Sequence, residues 1–312
     1  STFDDAVENG LYERVCFING WEPTAEGKED WYKKIRAGYG PRKAAMREEL
    51  DAIARDGGGV SIPGVWIERA MPEERPVLRL TLDDDFVHKP EEERKSWGLD
   101  WIKTNLVPLL RQLDPSREHV AGMDFARHRH FSVIIPLSIE QNLTRRCPWL
   151  IEMANVPTRQ QEQILWAMLM VLPNFRGAAM DATGPGQTLA EYTADRFGHN
   201  IIHQVDLSRK WYGSWMPKMI GQFEDGMYDL PRDISLENDM RAVEEIDGIN
   251  MVPKVERKDL KDPELYRHGD GAIALALAEY AALNKVYVPI EFQVAGGGMN
   301  HTSASMANFM RT

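Results

Sequence analysis

Cysteine is nearly absent from this 312-residue chain, which holds only Cys16 and Cys147. Two cysteines build neither a disulfide framework nor a cysteine-rich zinc site, so a reducing, cytoplasmic setting is expected. Long apolar runs are missing too. The stretch over residues 164–172 stops at Pro173, and the Ala/Leu stretch after Gly271 is broken by Glu279, so no segment is expected to cross a membrane. There is no basic excess either: 37 Lys and Arg against 48 Asp and Glu leave a net charge of −11. That balance excludes a general positive coat for nucleic acid. It leaves room for a nuclease, whose metal ions need carboxylates and whose basic track can be local. A phosphate loop is also lacking. No Gly-x-x-x-x-Gly-Lys-[Ser/Thr] occurs, and Gly184-Pro185-Gly186 has neither its lysine nor its spacing, so no ATPase activity is expected. The first ten residues are acidic rather than basic and then apolar, unlike a signal peptide. A start at Ser1 rather than Met reads as an excised piece.

What is present is ordinary globular material, 43% hydrophobic and 27% charged, long enough to bury a sizeable core. Residues 21–39 and 41–54 are helical in composition, and Gly57-Gly58-Gly59 then breaks the pattern. Residues 82–95 are charged without alternation and read as a solvated loop. Residues 101–113 predict an amphipathic helix, with Ile102, Leu106, Leu109, Leu110 and Leu113 at helical spacing. Asp114-Pro115-Ser116 ends it, and the main boundary is expected there. The resulting division is a mainly helical segment over 1–115, a second domain over 116–285 and a loosely ordered tail over 286–312.

Beyond that boundary the texture alternates. Strands are predicted over 119–125, 131–139, 149–155, 175–181 and 200–205, with a weaker one over 249–255. Helices are predicted over 157–172, 186–197, 208–221 and 268–284. Thr158 reads as the N-cap of the first of these helices, with Gln161 at the capping-box position. Three early strands followed by alternating helices and strands make an α/β class, a mixed sheet flanked by helices.

Three aspartates stand out by position. Asp124 and Asp181 each close an apolar strand, and Ala182-Thr183-Gly184 turns the chain after the second. Asp270 sits in the first turn of the last helix, on the face of Ile273, Ala274 and Leu277. Taken singly, Asp270 reads as a helix N-terminal charge, Asp181 equally as turn residue or ligand, and Asp124 as functional. Together they can converge. Hard Mg²⁺ or Mn²⁺ prefers oxygen ligands, and two such ions roughly 3.5–4 Å apart can activate a water and stabilise the leaving 3′-oxygen of a phosphodiester. His128 and His130 read as phosphate contacts or surface residues, since no third soft ligand lies near them in sequence. Arg145-Arg146, Arg209-Lys210-Trp211 and Arg257-Lys258 are local basic points that can track a DNA backbone or simply face solvent.

These residues carry a family resemblance. Gly122-Met123-Asp124-Phe125-Ala126-Arg127, followed by Phe131-Ser132-Val133-Ile134, resembles the first nuclease motif of phage large terminase subunits, especially of Mu-like phages. Met180-Asp181-Ala182-Thr183-Gly184 resembles their second motif. Arg267-His268-Gly269-Asp270, leading into Ala272-Ile273-Ala274-Leu275-Ala276-Leu277, resembles their third. Asn155-Val156-Pro157 with Gln160, Gln163, Ile164 and Leu165 is similar to the connection between the first two. Thr2-Phe3-Asp4-Asp5-Ala6-Val7 with Gly10-Leu11-Tyr12 resembles a segment near the end of the family's ATPase region. His130 stands where many relatives carry an acidic residue.

The resemblance implies an RNase H-like nuclease domain over 116–285, preceded by the end of an ATPase region and its linker. The implied activity is a metal-dependent endodeoxyribonuclease that cuts concatemeric or integrated phage DNA during head filling. Asp124, Asp181 and Asp270 would hold two ions of Mg²⁺ or Mn²⁺, and Arg127, His128, Arg129 and Lys210 are the candidate DNA contacts. Double-stranded phage DNA, a portal protein and a small terminase subunit are the implied partners. The host cytoplasm, and not the mature virion, is the implied location. Two other readings stay open: an RNase H-like transposase, integrase or resolvase, and a non-catalytic module that docks DNA or a portal.

Overall fold

The computed structural model describes residues 61–126 and 130–285, together with Lys33, Lys34 and Arg36. The chain divides into two compact units, Ser1–Gly58 and Gly59–Thr312. In the first unit the three described residues are helical. The helices expected over 21–39 and 41–54 otherwise lie outside the described residues, as do the opening motif and the tail expected over 286–312.

The second unit begins with helix α1 (Gly64–Ala70) and strand β1 (Val77–Thr81). A 3₁₀ turn (Asp84–His88) leads to α2 (Glu91–Trp101), which runs through a π-helical turn (Ile102–Leu106) into α3 (Val107–Leu110). The charged stretch over 82–95 is therefore not all loop. Glu91, Glu92 and Glu93 occupy the first turn of α2, where negative charge is favoured by the helix dipole, and the outer face is solvated. The π turn comes just before Pro108, whose missing N–H interrupts the regular ladder.

The main sheet follows: β2 (Glu118–Asp124), β3 (Phe131–Ile139), β4 (Arg145–Arg146), β5 (Leu150–Ala154), β6 (Phe175–Asp181), β7 (Ile202–Val205) and β8 (Tyr228–Asp229). The strand order is β1-β5-β3-β2-β6-β7, with β4 and β8 off one end of β3. Only β3 runs against its neighbours on this path, pairing antiparallel with both β2 and β5. The expected α/β class with a mixed, helix-flanked sheet is what the chain forms.

The boundary expected near residue 115 does not fall at a break in packing. β1 pairs in parallel with β5, from Val77 opposite Leu150 to Thr81 opposite Ala154. Its Leu78 and Leu80 join the same apolar cluster as Met123 and Met180, so the strand is an edge of this sheet.

Helices cover both faces. On one face lie α4 (Thr158–Val171) and α5 (Gly186–Phe197), packed on Ala121, Met123, Ala178 and Met180. On the other lie α6 (Arg209–Glu224), α7 (Ile234–Arg241) and α8 (Asp270–Leu283), packed on Val120, Val133 and Ala179. The alternation of side chains along β2 and β6 thus feeds two separate cores. At the start of α4 the expected capping box is not made. Pro157 is the cap residue, and Gln161 Nε2 instead donates to the carbonyls of Val156 (2.9 Å) and Ala126 (3.2 Å), tying the helix to the chain beyond β2.

The last helix, α8, is more deeply buried than an amphipathic face requires. Nearly every residue from Asp270 to Ala282 is shielded, because the sheet lies on one side and α6 and α7 on the other. Its approach to β2 is close. A Cβ built on Gly122 would meet Ala274 O at 2.1 Å and Ala278 N at 2.3 Å, so only glycine allows this contact. Two small hairpin-like pairs complete the unit: β9 (Glu244–Ile246) with β10 (Ile249–Met251), and β11 (Arg257–Lys258) with β12 (Tyr266–Arg267).

Candidate active site

The chain runs outward from β2 through β3 to β5, then returns to lay β6 against the other side of β2. In open α/β sheets the carboxyl ends of the strands at such a reversal are the usual place for a ligand. Asp124 ends β2 and Asp181 ends β6, next in register after the Met123–Met180 pair. Side chains in register on parallel strands share a face. Asp124 lies two residues after Gly122 and Asp181 two after Ala179, so both face the α8 side. Asp270 begins α8 one turn before Ala274, the residue lying over Gly122. Three chain segments thus bring the sequence-predicted aspartates to one end of the sheet.

All three are buried, at 6%, 7% and 3% exposure for Asp124, Asp181 and Asp270. Burial drives the Asp124 carboxyl well above its ordinary range, and the charges of Asp270, Asp181 and Asp239 push it further. Asp270 is pushed up to about 7, chiefly by burial, against the opposing hydrogen bond from His268 N–H and the charge of Arg267. Asp181 is raised by burial and by Asp206, the residue just beyond β7, while hydrogen bonds from Thr183 oppose the rise. Tyr212 on α6 holds its proton more tightly than a free phenol, first because it is buried and then because Asp124 and Asp181 are near.

Local geometry fixes two of the carboxylates. The Thr183 backbone N–H (2.8 Å) and hydroxyl both donate to Asp181 Oδ1, and Gly184 takes φ +53° to complete the turn. Asp181 is therefore a turn residue as well as a buried carboxylate. The His268 backbone N–H donates to Asp270 Oδ2 (3.1 Å), and Gly269 before it is left-handed at φ +82°. Among the described residues, neither Asp124 nor Asp181 forms an ion pair within 4.0 Å.

A fourth carboxylate, Asp239 on α7, has no signal in the sequence beyond an ordinary helical context. It accepts from Gly271 N–H (2.9 Å) and from Arg267 Nη1 (3.0 Å), and burial pushes it up to about 8. Arg267 also donates to Asp259 and to Glu152 (2.7 Å) and stacks over Phe131 at 4.2 Å. This buried guanidinium anchors the loop that enters α8.

The basic candidates separate. Arg127, His128 and Arg129 lie outside the described residues. Lys210 is exposed in the first turn of α6. Arg145 is turned inward onto Glu279 (3.1 Å), Arg209 pairs with Asp247 (3.2 Å) and Arg257 with Glu244 (3.3 Å). Among the described residues, one trio of His, Cys, Asp or Glu has its ligand atoms all within 4.8 Å of one another: His130, Glu256 and His268. Asp124, Asp181 and Asp270 do not form such a trio among the described residues. His130, distant in sequence from Glu256 and His268, gains an imidazole and a carboxylate through the fold.

No family model matches the chain. In sequence it is 37% identical over 293 residues to the probable terminase large subunit gp28 of Escherichia phage Mu, covering 92% of this chain and 52% of that protein. It is 35% identical over 281 residues to the Mu-like prophage FluMu protein gp28 of Haemophilus influenzae, covering 90% of this chain and 54% of that one. Among solved structures it is similar to the large terminase nuclease of thermophilic phage G20c, at 18% identity and a TM-score of 0.39. That likeness covers 54% of this chain and 83% of that one. It is also similar to the Thermus phage P74-26 large terminase nuclease domain, at 16% identity and a TM-score of 0.38, covering 53% and 80%. Those scores are too low to carry residue roles across. The sequence relatives are close enough to settle descent: the chain is a homologue of the gp28 proteins of phage Mu and the Mu-like prophage FluMu, the first a probable terminase large subunit, and spans about half of their length.

Proposed function

We propose that this chain is the nuclease part of a phage DNA-packaging terminase, an RNase H-like endodeoxyribonuclease that depends on Mg²⁺ or Mn²⁺. The observation that carries the reading is the burial of Asp124 beside Asp181 and Asp270 at the ends of β2 and β6, with no ion pair of its own among the described residues. Buried like charges of this kind cost free energy until a cation joins them, and oxygen-only ligands suit a hard divalent ion. The residues present therefore fit two such ions, with Asp124, Asp181 and Asp270 as the holders. Bound there, the ions supply a water nucleophile at neutral pH and stabilise the leaving 3′-oxygen.

The chain's own part is positioning. Thr183 and the His268 N–H each fix one carboxylate oxygen, on Asp181 and Asp270 respectively. Gly122 lets α8 lie close enough to bring Asp270 to Asp124. With a net charge of −11, DNA contact rests on a few basic points that meet phosphates rather than bases, namely Arg127, His128, Arg129 and Lys210. Cleavage is then sequence-tolerant and salt-sensitive. For the whole protein we infer phage DNA as substrate, a portal and a small subunit as partners and the host cytoplasm as the place of action, a reading that the similarity to a probable terminase large subunit supports.

The test is plasmid nicking by the 312-residue chain in Mn²⁺, with and without chelator. Wild type should nick only with the metal, and Asp181→Asn should lose nearly all activity while staying folded. Wild-type cutting by Asp181→Asn would remove that residue from the site and the two-ion assignment with it.

A further inference from the structure

We propose that His130, Glu256 and His268 form a second metal site, for a divalent transition ion of borderline softness such as Zn²⁺, distinct in chemistry from the aspartate cluster. The backbone assembles the trio from three distant segments. An isolated parallel bridge joins His130 to Tyr266, two residues before His268. Strands β11 and β12 pair Arg257 with Arg267, so Glu256 and His268 come next in register across the pair. Opposite residues of an antiparallel pair share a face, which aims both side chains at the same point. Arg267, locked by Asp259, Asp239 and Glu152, holds that pair against the body of the protein.

The ligand geometry is close to what an ion requires. Glu256 Oε1 is 3.9 Å from His130 Nε2 and 3.9 Å from His268 Nε2. The two imidazole centroids are 4.4 Å apart, with planes inclined by 32°. Ligands of a tetrahedral zinc, each about 2.0–2.1 Å from the metal, stand roughly 3.3 Å from one another. The Glu256 side of the trio is thus about half an ångström too wide for an ion, and all three ligand atoms lie within 4.8 Å of one another, a gap that rotation of a half-exposed glutamate and two part-exposed imidazoles can close. Two imidazoles and one carboxylate suit zinc, cobalt or nickel and disfavour magnesium, which prefers an all-oxygen shell. All three side chains retain solvent exposure, at 27%, 57% and 29%, so an ion has a path in and further coordination positions stay open to water.

The surroundings also resemble a metal-bound histidine. His268 Nδ1 lies 3.9 Å from Asp270 Oδ1, beyond direct hydrogen-bond reach, so a carboxylate stands on the side of the non-ligating nitrogen, where metal-bound histidines usually have one. The site does not rest on the nuclease reading, because its three ligands are other side chains. It does adjoin that cluster, since His268 also binds Asp270 through its backbone N–H.

The test is a Co²⁺ titration of the full 312-residue chain in excess Mg²⁺, which keeps oxygen-only sites filled. Wild type should develop visible d–d absorption that saturates at one ion per chain and disappears on adding Zn²⁺. His130→Ala and His268→Ala should abolish the band. Glu256→Gln, an exposed change that leaves the core untouched, should weaken Co²⁺ binding about tenfold or more. Absence of the band in wild type, or unchanged affinity in Glu256→Gln, would overturn the site even if the histidine variants fail to fold.

Discussion

Two groups of carboxylates flank the entrance to α8, and they differ in one respect. Asp239, Asp259 and Glu152 surround the Arg267 guanidinium, and Arg79 adds a second cation to Glu152 at 2.7 Å. Asp124, Asp181 and Asp270 lie beside them, yet neither strand-end aspartate has a cation within 4.0 Å among the described residues. In the first group Arg267 and Arg79 offset part of the charge, though burial still pushes Asp239 up to about 8, and the network serves to hold the loop. The second is left for something else to neutralise. Equal burial with unequal compensation is what marks a site apart from a structural network.

The sharpest way to break that contrast is Asp181→Asn. Cleavage in Mn²⁺ should fall to near background, while the metal-free protein melts at the same temperature or a few degrees higher, because one buried negative charge is gone. Asparagine is also a good turn former, so a purely structural Asp181 would show unchanged nicking. Circular dichroism melting and gel nicking on the same sample separate the two.

Arg267→Met attacks the other group. Removing the shared cation strands Asp239 and Asp259 and leaves Glu152 with Arg79 alone, which should cost about 3–5 kcal/mol of stability, read as a shifted urea midpoint. A shift within experimental error would mean that the network is not what holds this loop.

Gly122→Ala probes the contact that joins the two groups. The new Cβ would overlap the backbone of α8 at Ala274 and Ala278, so about 1–3 kcal/mol of destabilisation is expected. Nicking should drop by more than the stability change explains, since Asp270 moves with the helix. Retained activity would show that the placement of Asp270 tolerates a shifted helix.

A smaller effect concerns pH and metal. In chelator, Asp270, pushed up to about 7, binds its proton more tightly folded than unfolded, and Asp239, pushed up to about 8, does the same. Their contribution to stability is then full below about pH 4 and is lost as pH rises through 7 to 8. Added Mg²⁺ should restore stability most at the upper end of that window, by about 2.7 kcal/mol at a hundredfold excess over Kd, and less in Asp181→Asn. A melting temperature in chelator that is flat from pH 5 to 8 would contradict the raised carboxyls. The least effect should come from Lys210→Ala: DNA affinity falls slightly and the salt slope drops by about one. An unchanged slope would remove Lys210 from the DNA-contacting surface.

Sequence alone determined most of the main strands and helices. Phe131–Ile139, Phe175–Asp181 and Gly186–Phe197 form over the very residues whose pattern predicts them, because continuous apolar runs and helical spacing record burial on a sheet flanked on both sides. The strand-end positions of Asp124 and Asp181 were legible for the same reason. Other features left little local trace. Val77–Thr81 is a short edge strand whose partner lies some seventy residues on, so nothing nearby marks it as part of the sheet. The start of α2 hides in a run of glutamates that reads equally well as loop, since its stability comes from docking rather than from its own pattern. Only the tertiary structure decided the rest. It assigned Arg145 to Glu279 instead of solvent, gave Asp239 its place beside Arg267, and supplied His130 with Glu256 and His268 from more than a hundred residues away. Local sequence records which side of an element meets the core. Which charges meet each other depends on how distant segments pair, and the register between β11 and β12 or the approach of α8 to Gly122 is fixed only when the whole sheet closes.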